Sequence, residues 1–165
     1  SMCYPVSSMS CHVSACPNHQ TQRTTPFATR GAIASLGATG YELDLTKLSE
    51  EEKMQIREQI ENYKQIDELV LKGDLYRLAD PFKGNYFCEM LVSKDKSKVY
   101  VVGERFRGDP CDHDRVLKLR GLDEGKTYTV KELNVTASGA ALMGAGLFCP
   151  RLPDCGSWVW HIEEA

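Results

Sequence analysis

Cys11, His12, Cys16 and His19 fall close together near the start of the chain, and thiolate with imidazole is the ligand set zinc prefers. Their spacing matches no standard zinc motif. Adjacent Cys11 and His12 would also point to opposite sides of a strand, so buried thiols and hydrogen-bonded histidines explain them more simply, and no metal or cofactor is expected. Glu42 and Asp44 suggest acid/base work, since residues two apart on a strand share a face with about 6.6 Å of rise between them. Polar contacts at a strand end are the simpler reading. Cys149 and Cys155 flank PRLPD and would close a small disulfide loop only in an oxidising compartment. Trp158 and Trp160 share one strand face and suit either a sugar-stacking platform or a core, with the core favoured by the apolar area an indole buries. The most basic stretch, Lys94, Lys96 and Lys98 with Arg105 and Arg107, is interrupted by acids and reads as a solvated hairpin.

The elements that must position these groups change character near Pro81. Val6 to Ala15 reads as a strand, Cys16 to Thr25 as a polar loop, and Pro26 as the opening of a short helix. Thr39 to Leu45 alternates apolar Tyr41, Leu43 and Leu45 with Gly40, Glu42 and Asp44, the period of a strand. Ser49 and Glu52 make a capping box, and Ile56, Ile60, Tyr63, Ile66, Leu69 and Val70 recur at helical spacing up to a stop at Gly73. Strand, helix, strand, helix implies parallel pairing through a crossover. Beyond Pro81 short β-rich runs follow: Tyr86 to Ser93, Lys98 to Phe106, Val116 to Leu119, Thr127 to Glu132, and Trp158 to Ile162. Turn signals separate them, at Ser93 to Ser97, Gly108 to Pro110 and Gly121 to Gly125, and an antiparallel sandwich is the simplest packing. The expected domains are therefore residues 1–80 and 81–165.

With 165 residues, 42% of them hydrophobic and 26% charged, the chain has the composition of a globular protein with a core. A formal net charge of -3 offers no basic surface for a phosphate backbone, so nucleic acid is excluded as the main partner. No apolar run reaches the roughly 20 residues of a membrane-spanning helix, and no membrane partner is expected. Seven cysteines, an odd number without a compact framework, read as free thiols in the cytoplasm. Two parallel strands with their helices leave faces and edges uncovered, whereas parallel sheets are normally buried on both faces. That, with an opening Ser1-Met2-Cys3, leads to the expectation of a piece cut from a longer chain.

YPVSSMSCHVSACPNHQTQRTTPFATR from Tyr4, GYELDLTKL from Gly40, YRLADPF from Tyr76, LMGAGL from Leu142 and WHIEE from Trp160 together resemble glycoside hydrolase family 36 α-galactosidases. Gln22 stands where the family pattern has glycine. The resemblance implies an α/β fragment of a (β/α)8 TIM barrel, its last two strand-helix units, followed by an all-β antiparallel sandwich domain. It implies a retaining hydrolase of terminal α-linked galactose, acting as a homo-oligomer on α-galactoside sugars. The family uses two aspartates, a nucleophile and an acid/base, about 5 to 5.5 Å apart in such a mechanism. Neither family motif occurs in this chain, so no catalytic residue is assigned in it, both carboxylates are expected upstream of Ser1, and the chain alone should not turn over. In a barrel the loops after the strands form the active-site rim, which makes His19, Gln20 and Arg23 candidates for shaping the pocket. The alternative is a non-catalytic carbohydrate-binding β-sandwich module using Trp158 or Trp160.

Overall fold

The computed structural model describes residues 3–108 and 115–165. Cys111, Ser1, Met2 and the last two residues of the expected Gly108 to Pro110 turn lie outside the described residues. The chain divides into two compact units, the first ending at Leu71 and the second running from Lys72 to Ala165.

In the first unit β1 (Ser10–Ser14) pairs with β2 (Ala38–Glu42) in parallel, Ser10 beside Ala38 and Ser14 beside Glu42. Helix α1 (Phe27–Ala34) makes the crossover with Pro26 at its N-cap, where the fixed φ of proline suits the entry to a helix. Alternation along β1 places buried Val13 against Phe27 and Ala34, with Cys11, Tyr41, Leu43 and Ile56 packed around them. Ser10, His12 and Ser14 therefore lie on the opposite face. The 3-10 turn Leu45–Lys47 follows, capped by the Asp44 side chain, so Asp44 sits beyond the strand and does not share a strand face with Glu42.

Helix α2 (Glu50–Lys72) starts from a complete capping box. The Glu52 amide donates to Ser49 Oγ at 3.1 Å and the Ser49 amide donates to Glu52 Oε2 at 3.0 Å, satisfying two amides that the first turn leaves open. Burial concentrates at Ile66, Leu69 and Val70, while Ile60 is 40% exposed, a narrower stripe than the periodicity alone implies. Gln59 joins three elements, donating from Nε2 to the Phe27 carbonyl at 3.3 Å and accepting the Tyr41 hydroxyl at 2.8 Å. Gly31 leaves the room for it, since a Cβ there would lie 2.1 Å from Gln59 Cδ.

The second unit is built on a six-stranded antiparallel sheet in the order β3 (Asp74–Ala79), β4 (Tyr86–Val92), β5 (Lys98–Arg105), β10 (Gly156–Glu164), β7 (Thr127–Val130), β8 (Val135–Ser138). Because Asp74–Ala79 pairs with β4, the division falls ahead of Pro81, about where α2 ends. Cross-strand register aligns Cys88, Gly103 and Trp158, then Met90, Val101 and Trp160, then Val92, Val99 and Ile162 with Val130. These apolar residues form one face, covered by Leu117, Leu119, Leu122, Leu142 and Leu147. The covering layer is thus the short ribbon β6 (Val116–Leu117) with β9 (Leu147–Phe148), helix α3 (Gly139–Gly144) and their connections. A second full sheet is absent among the described residues.

Trp158 and Trp160 are 7% and 1% exposed and sit 6.0 Å apart, ring centre to ring centre, in that core. This bears out the favoured core reading and overturns the alternative of a sugar-stacking platform: register turns both indoles into the covered face, and the carbohydrate-binding module loses its proposed contacts. Gly103 is what lets Trp158 lie across β5, as a Cβ there would fall 2.0 Å from the indole Cζ2. Cys149 and Cys155 are not bonded to each other, so the expected loop-closing disulfide is absent. No helix among the described residues is long and apolar enough to cross a membrane.

Candidate functional site

A parallel strand delivers its next loop to its C-terminal end, and β1 ends at Ser14 with the polar loop 15–25 beyond it. A cavity of ≈ 340 Å³ opens there, lined by His12 and Ser14 from β1, by Cys16, Asn18, Gln20, Thr21, Arg23 and Thr25 from the loop, and by Arg30 from α1. Ala15 and the carbon stems of the longer side chains share the lining with hydrogen-bonding groups, and Arg23 and Arg30 bring cationic side chains to two points. That composition suits a hydroxyl-rich or anionic ligand.

The loop is held in shape by Asn18. Its Oδ1 accepts the amides of Gln20 at 3.0 Å and Thr21 at 2.9 Å and the Thr21 hydroxyl at 3.1 Å. Its own amide donates to the Arg23 carbonyl at 2.9 Å, and its carbonyl accepts the Gln22 amide at 2.8 Å. Asparagine suits this position because its short amide can replace a backbone turn bond. Cys16 Sγ accepts the Thr25 amide at 3.4 Å, tying the two ends of the loop. Gln22 adopts φ +56°, the left-handed region where glycine is at home.

Of the three rim residues expected from the sequence, Gln20 and Arg23 line the cavity and His19 does not. His19 is exposed, and its backbone carbonyl accepts Gln22 Nε2 at 3.2 Å. His12 is hydrogen-bonded, as its simpler sequence reading has it, and it lies at the cavity with both ring nitrogens engaged, Nε2 by Ser10 Oγ at 2.9 Å and Nδ1 by Glu42 Oε2 at 3.2 Å. Glu42 thus finds its partner across the pair of strands. Among the described residues no three His, Cys, Asp or Glu gather where they could hold a metal ion. Arg30 and Asn18 were missed as lining residues. The Pro-Asn step with threonine three positions after the asparagine is a turn signal that could have found Asn18, whereas nothing local marks Arg30.

Residues 1–73 match the Melibiase family model, and residues 86–162 match the glycosyl hydrolase family 36 C-terminal domain. The chain belongs to glycoside hydrolase family 36. Alpha-galactosidase AgaA of Geobacillus stearothermophilus is 42% identical over 99% of this chain, which spans 22% of that relative. The bifunctional alpha-galactosidase/sucrose kinase AgaSK of Mediterraneibacter gnavus is 44% identical over 89% of this chain and is covered over 16% of its own length. Among solved structures, the galactosidase domain of AgaSK superposes with a TM-score of 0.94 at 40% identity, covering 98% of this chain and 23% of that one. An AgaA variant in complex with raffinose gives the same TM-score, identity and coverage. In the family 36 relatives, then, this chain corresponds to under a quarter of the molecule.

Proposed function

We propose that the intact protein containing this chain is a retaining α-galactosidase that releases terminal α-linked galactose from galacto-oligosaccharides. In this reading residues 1–71 supply the last strand-helix units of a (β/α)8 barrel, and the sheet unit is the β domain that follows it. The observation carrying the proposal is the polar cavity at the C-terminal end of a parallel strand, where the active-site rim of such a barrel lies, in a chain whose family relatives are named as α-galactosidases along its whole length.

The chemistry divides accordingly. One carboxylate attacks the anomeric carbon while a second, as an acid, protonates the departing glycosidic oxygen; water then resolves the galactosyl ester with the second group as base. Both come from other parts of the intact protein. Gln20 and Arg23 on the rim donate hydrogen bonds to sugar hydroxyls or brace a catalytic carboxylate, and His19, exposed beside them, bounds the entrance. The six described cysteines form no disulfide with one another, which suits a reducing compartment, the cytoplasm, and we place the protein there as a homo-oligomer.

The intact protein, assayed on a chromogenic α-galactoside and followed by NMR, should release galactose first as the α-anomer. The 165-residue chain alone should release none. Inversion at the anomeric carbon, or hydrolysis by the lone chain that survives repurification, would sink the reading.

A further inference from the structure

The loop that carries Gln20 and Arg23 begins after Ser14, the last residue of β1, and ends at Thr25, just ahead of the Pro26 cap of α1. One side chain grips both ends. Arg30 Nη1 donates to the Ser14 carbonyl at 2.5 Å, and Arg30 Nε donates to the Thr25 carbonyl at 3.2 Å. The guanidinium carbon also stands 4.6 Å from the centre of the Phe27 ring, and Phe27 is 7% exposed in the core of the unit. Arg30 itself is partly buried and faces the cavity.

We infer that Arg30 is a positioning residue for the substrate rim: it sets the separation and angle of the two loop ends and so places Gln20 and Arg23 over the cavity. This rests on the reading of the loop as the rim of a galactoside site. Two separate sets of bonds govern the loop. Asn18 fixes the inner turn, from 18 to 23, but none of its bonds reaches β1 or α1. Attachment to the strand and the helix runs through Arg30, aided by the weaker sulfur contact of Cys16 with Thr25. A rigid tip on a loosened base moves as a body, which shifts both rim side chains together without unfolding either.

The planar fork of arginine is needed because its donors diverge at fixed angles toward two carbonyls while its face lies on an aromatic ring. A lysine would offer one compact charge and reach one carbonyl at a time. Charge alone therefore does not replace it.

The test uses Arg30→Lys and Arg30→Met in the intact protein, with two readouts. On an α-galactoside substrate, KM is expected to rise about tenfold or more while kcat changes by less than about threefold, because the displaced Gln20 and Arg23 lose contacts made equally to bound sugar and transition state. Added methylguanidine should partly restore KM for Arg30→Met and leave the wild type unchanged. By hydrogen exchange, amides of residues 16–25 should exchange faster while those of β1 and β2 keep their wild-type rates. Unchanged kinetics with unchanged loop exchange overturns the inference, as does faster exchange throughout the first unit with kcat and KM lost together, which marks a merely structural arginine. If the wild-type protein hydrolyses no α-galactoside, the functional proposal fails by itself; exchange confined to 16–25 then still upholds Arg30 as the anchor of the loop, and its absence overturns it.

Discussion

At the scale of single residues, Gln22 and Asp95 show how local backbone bonds decide behaviour. Gln22 holds φ +56° because its amide and that of Thr21 both turn inward to Asn18. A side chain in that conformation costs about 1–2 kcal/mol, partly offset by the roughly 0.5–1 kcal/mol that a glycine forfeits in lost chain freedom. Gln22→Gly should therefore raise stability by about 0.5–1 kcal/mol in urea denaturation; a loss of stability would show that the Gln22 Nε2 bond to the His19 carbonyl outweighs the backbone cost. Asp95, in the turn between β4 and β5, accepts the Ser93 hydroxyl at 2.6 Å, the Ser97 amide at 3.0 Å and the Ser97 hydroxyl at 2.8 Å. Those bonds, that of Ser93 foremost, hold its carboxyl well below the usual carboxylate range. A folded-state value below the unfolded one adds stability that is present above about pH 4 and is lost as pH falls through the folded-state value. Asp95→Asn should flatten the acid limb of a stability-against-pH profile, and an unchanged limb would assign the acid sensitivity to other carboxylates.

Among the elements, the central strands of the sheet set the tightest constraint. Gly103 on β5 stands between Cys88 and Trp158 in register, and the indole occupies the volume a side chain would need. Adding Cβ and two methyl groups must push the ring out of the covered face, and overpacking of this kind costs about 1–3 kcal/mol. Gly103→Val should sit at the upper end, about 3 kcal/mol, with the near-UV dichroism of Trp158 changed, since the ring also packs edge-on to Tyr86 at 6.3 Å. A variant of native stability and native near-UV signal would contradict this packing. Helix α2 makes the complementary point. Its start is written in Ser49 and Glu52, which satisfy each other's amides without help from any other element. By contrast β8, whose residues Val135, Thr136 and Ser138 are exposed, exists as a strand because β7 offers it a ladder.

For the molecule as a whole, the two units differ in how their strands are flanked. Strands β5 and β10 have partners on both sides, and Val101, Val102, Trp160 and Ile162 are at most 1% exposed. Each strand of the β1 and β2 pair has one hydrogen-bonded neighbour among the described residues, and the outward groups of an edge strand meet water. Opening free energies track such differences. Hydrogen exchange of this chain should find β5 and β10 slowest, exchanging on the scale of global unfolding, and β1 and β2 faster by at least about tenfold. Equal protection of the two sheets would contradict the account and weaken the proposal that the first unit belongs to a larger barrel.

From the residues alone one could read α2 with its cap, the strand-loop-helix block from Ser10 through Arg30, the main β-rich runs and the family resemblance, because each is carried by local periodicity or by a contiguous motif; the expected strand start at Val6 is instead a 3-10 turn, Val6–Ser8. Strands β3, β8 and β9 and helix α3 were not legible: they are short, lack a clean period and form where neighbouring strands or packed leucines receive them. Pattern put Trp158 and Trp160 on one face but left open whether that face is a core or a platform. Register with Gly103 and Val101 under a cover of leucines decided it. Likewise the family resemblance offered His19, Gln20 and Arg23 as rim candidates, of which Gln20 and Arg23 line the cavity, whereas Arg30, 16 positions beyond Ser14, joined that lining only when the crossover helix brought its guanidinium back to the end of β1. Proximity across a fold is a product of closure, and no spacing along a chain encodes it.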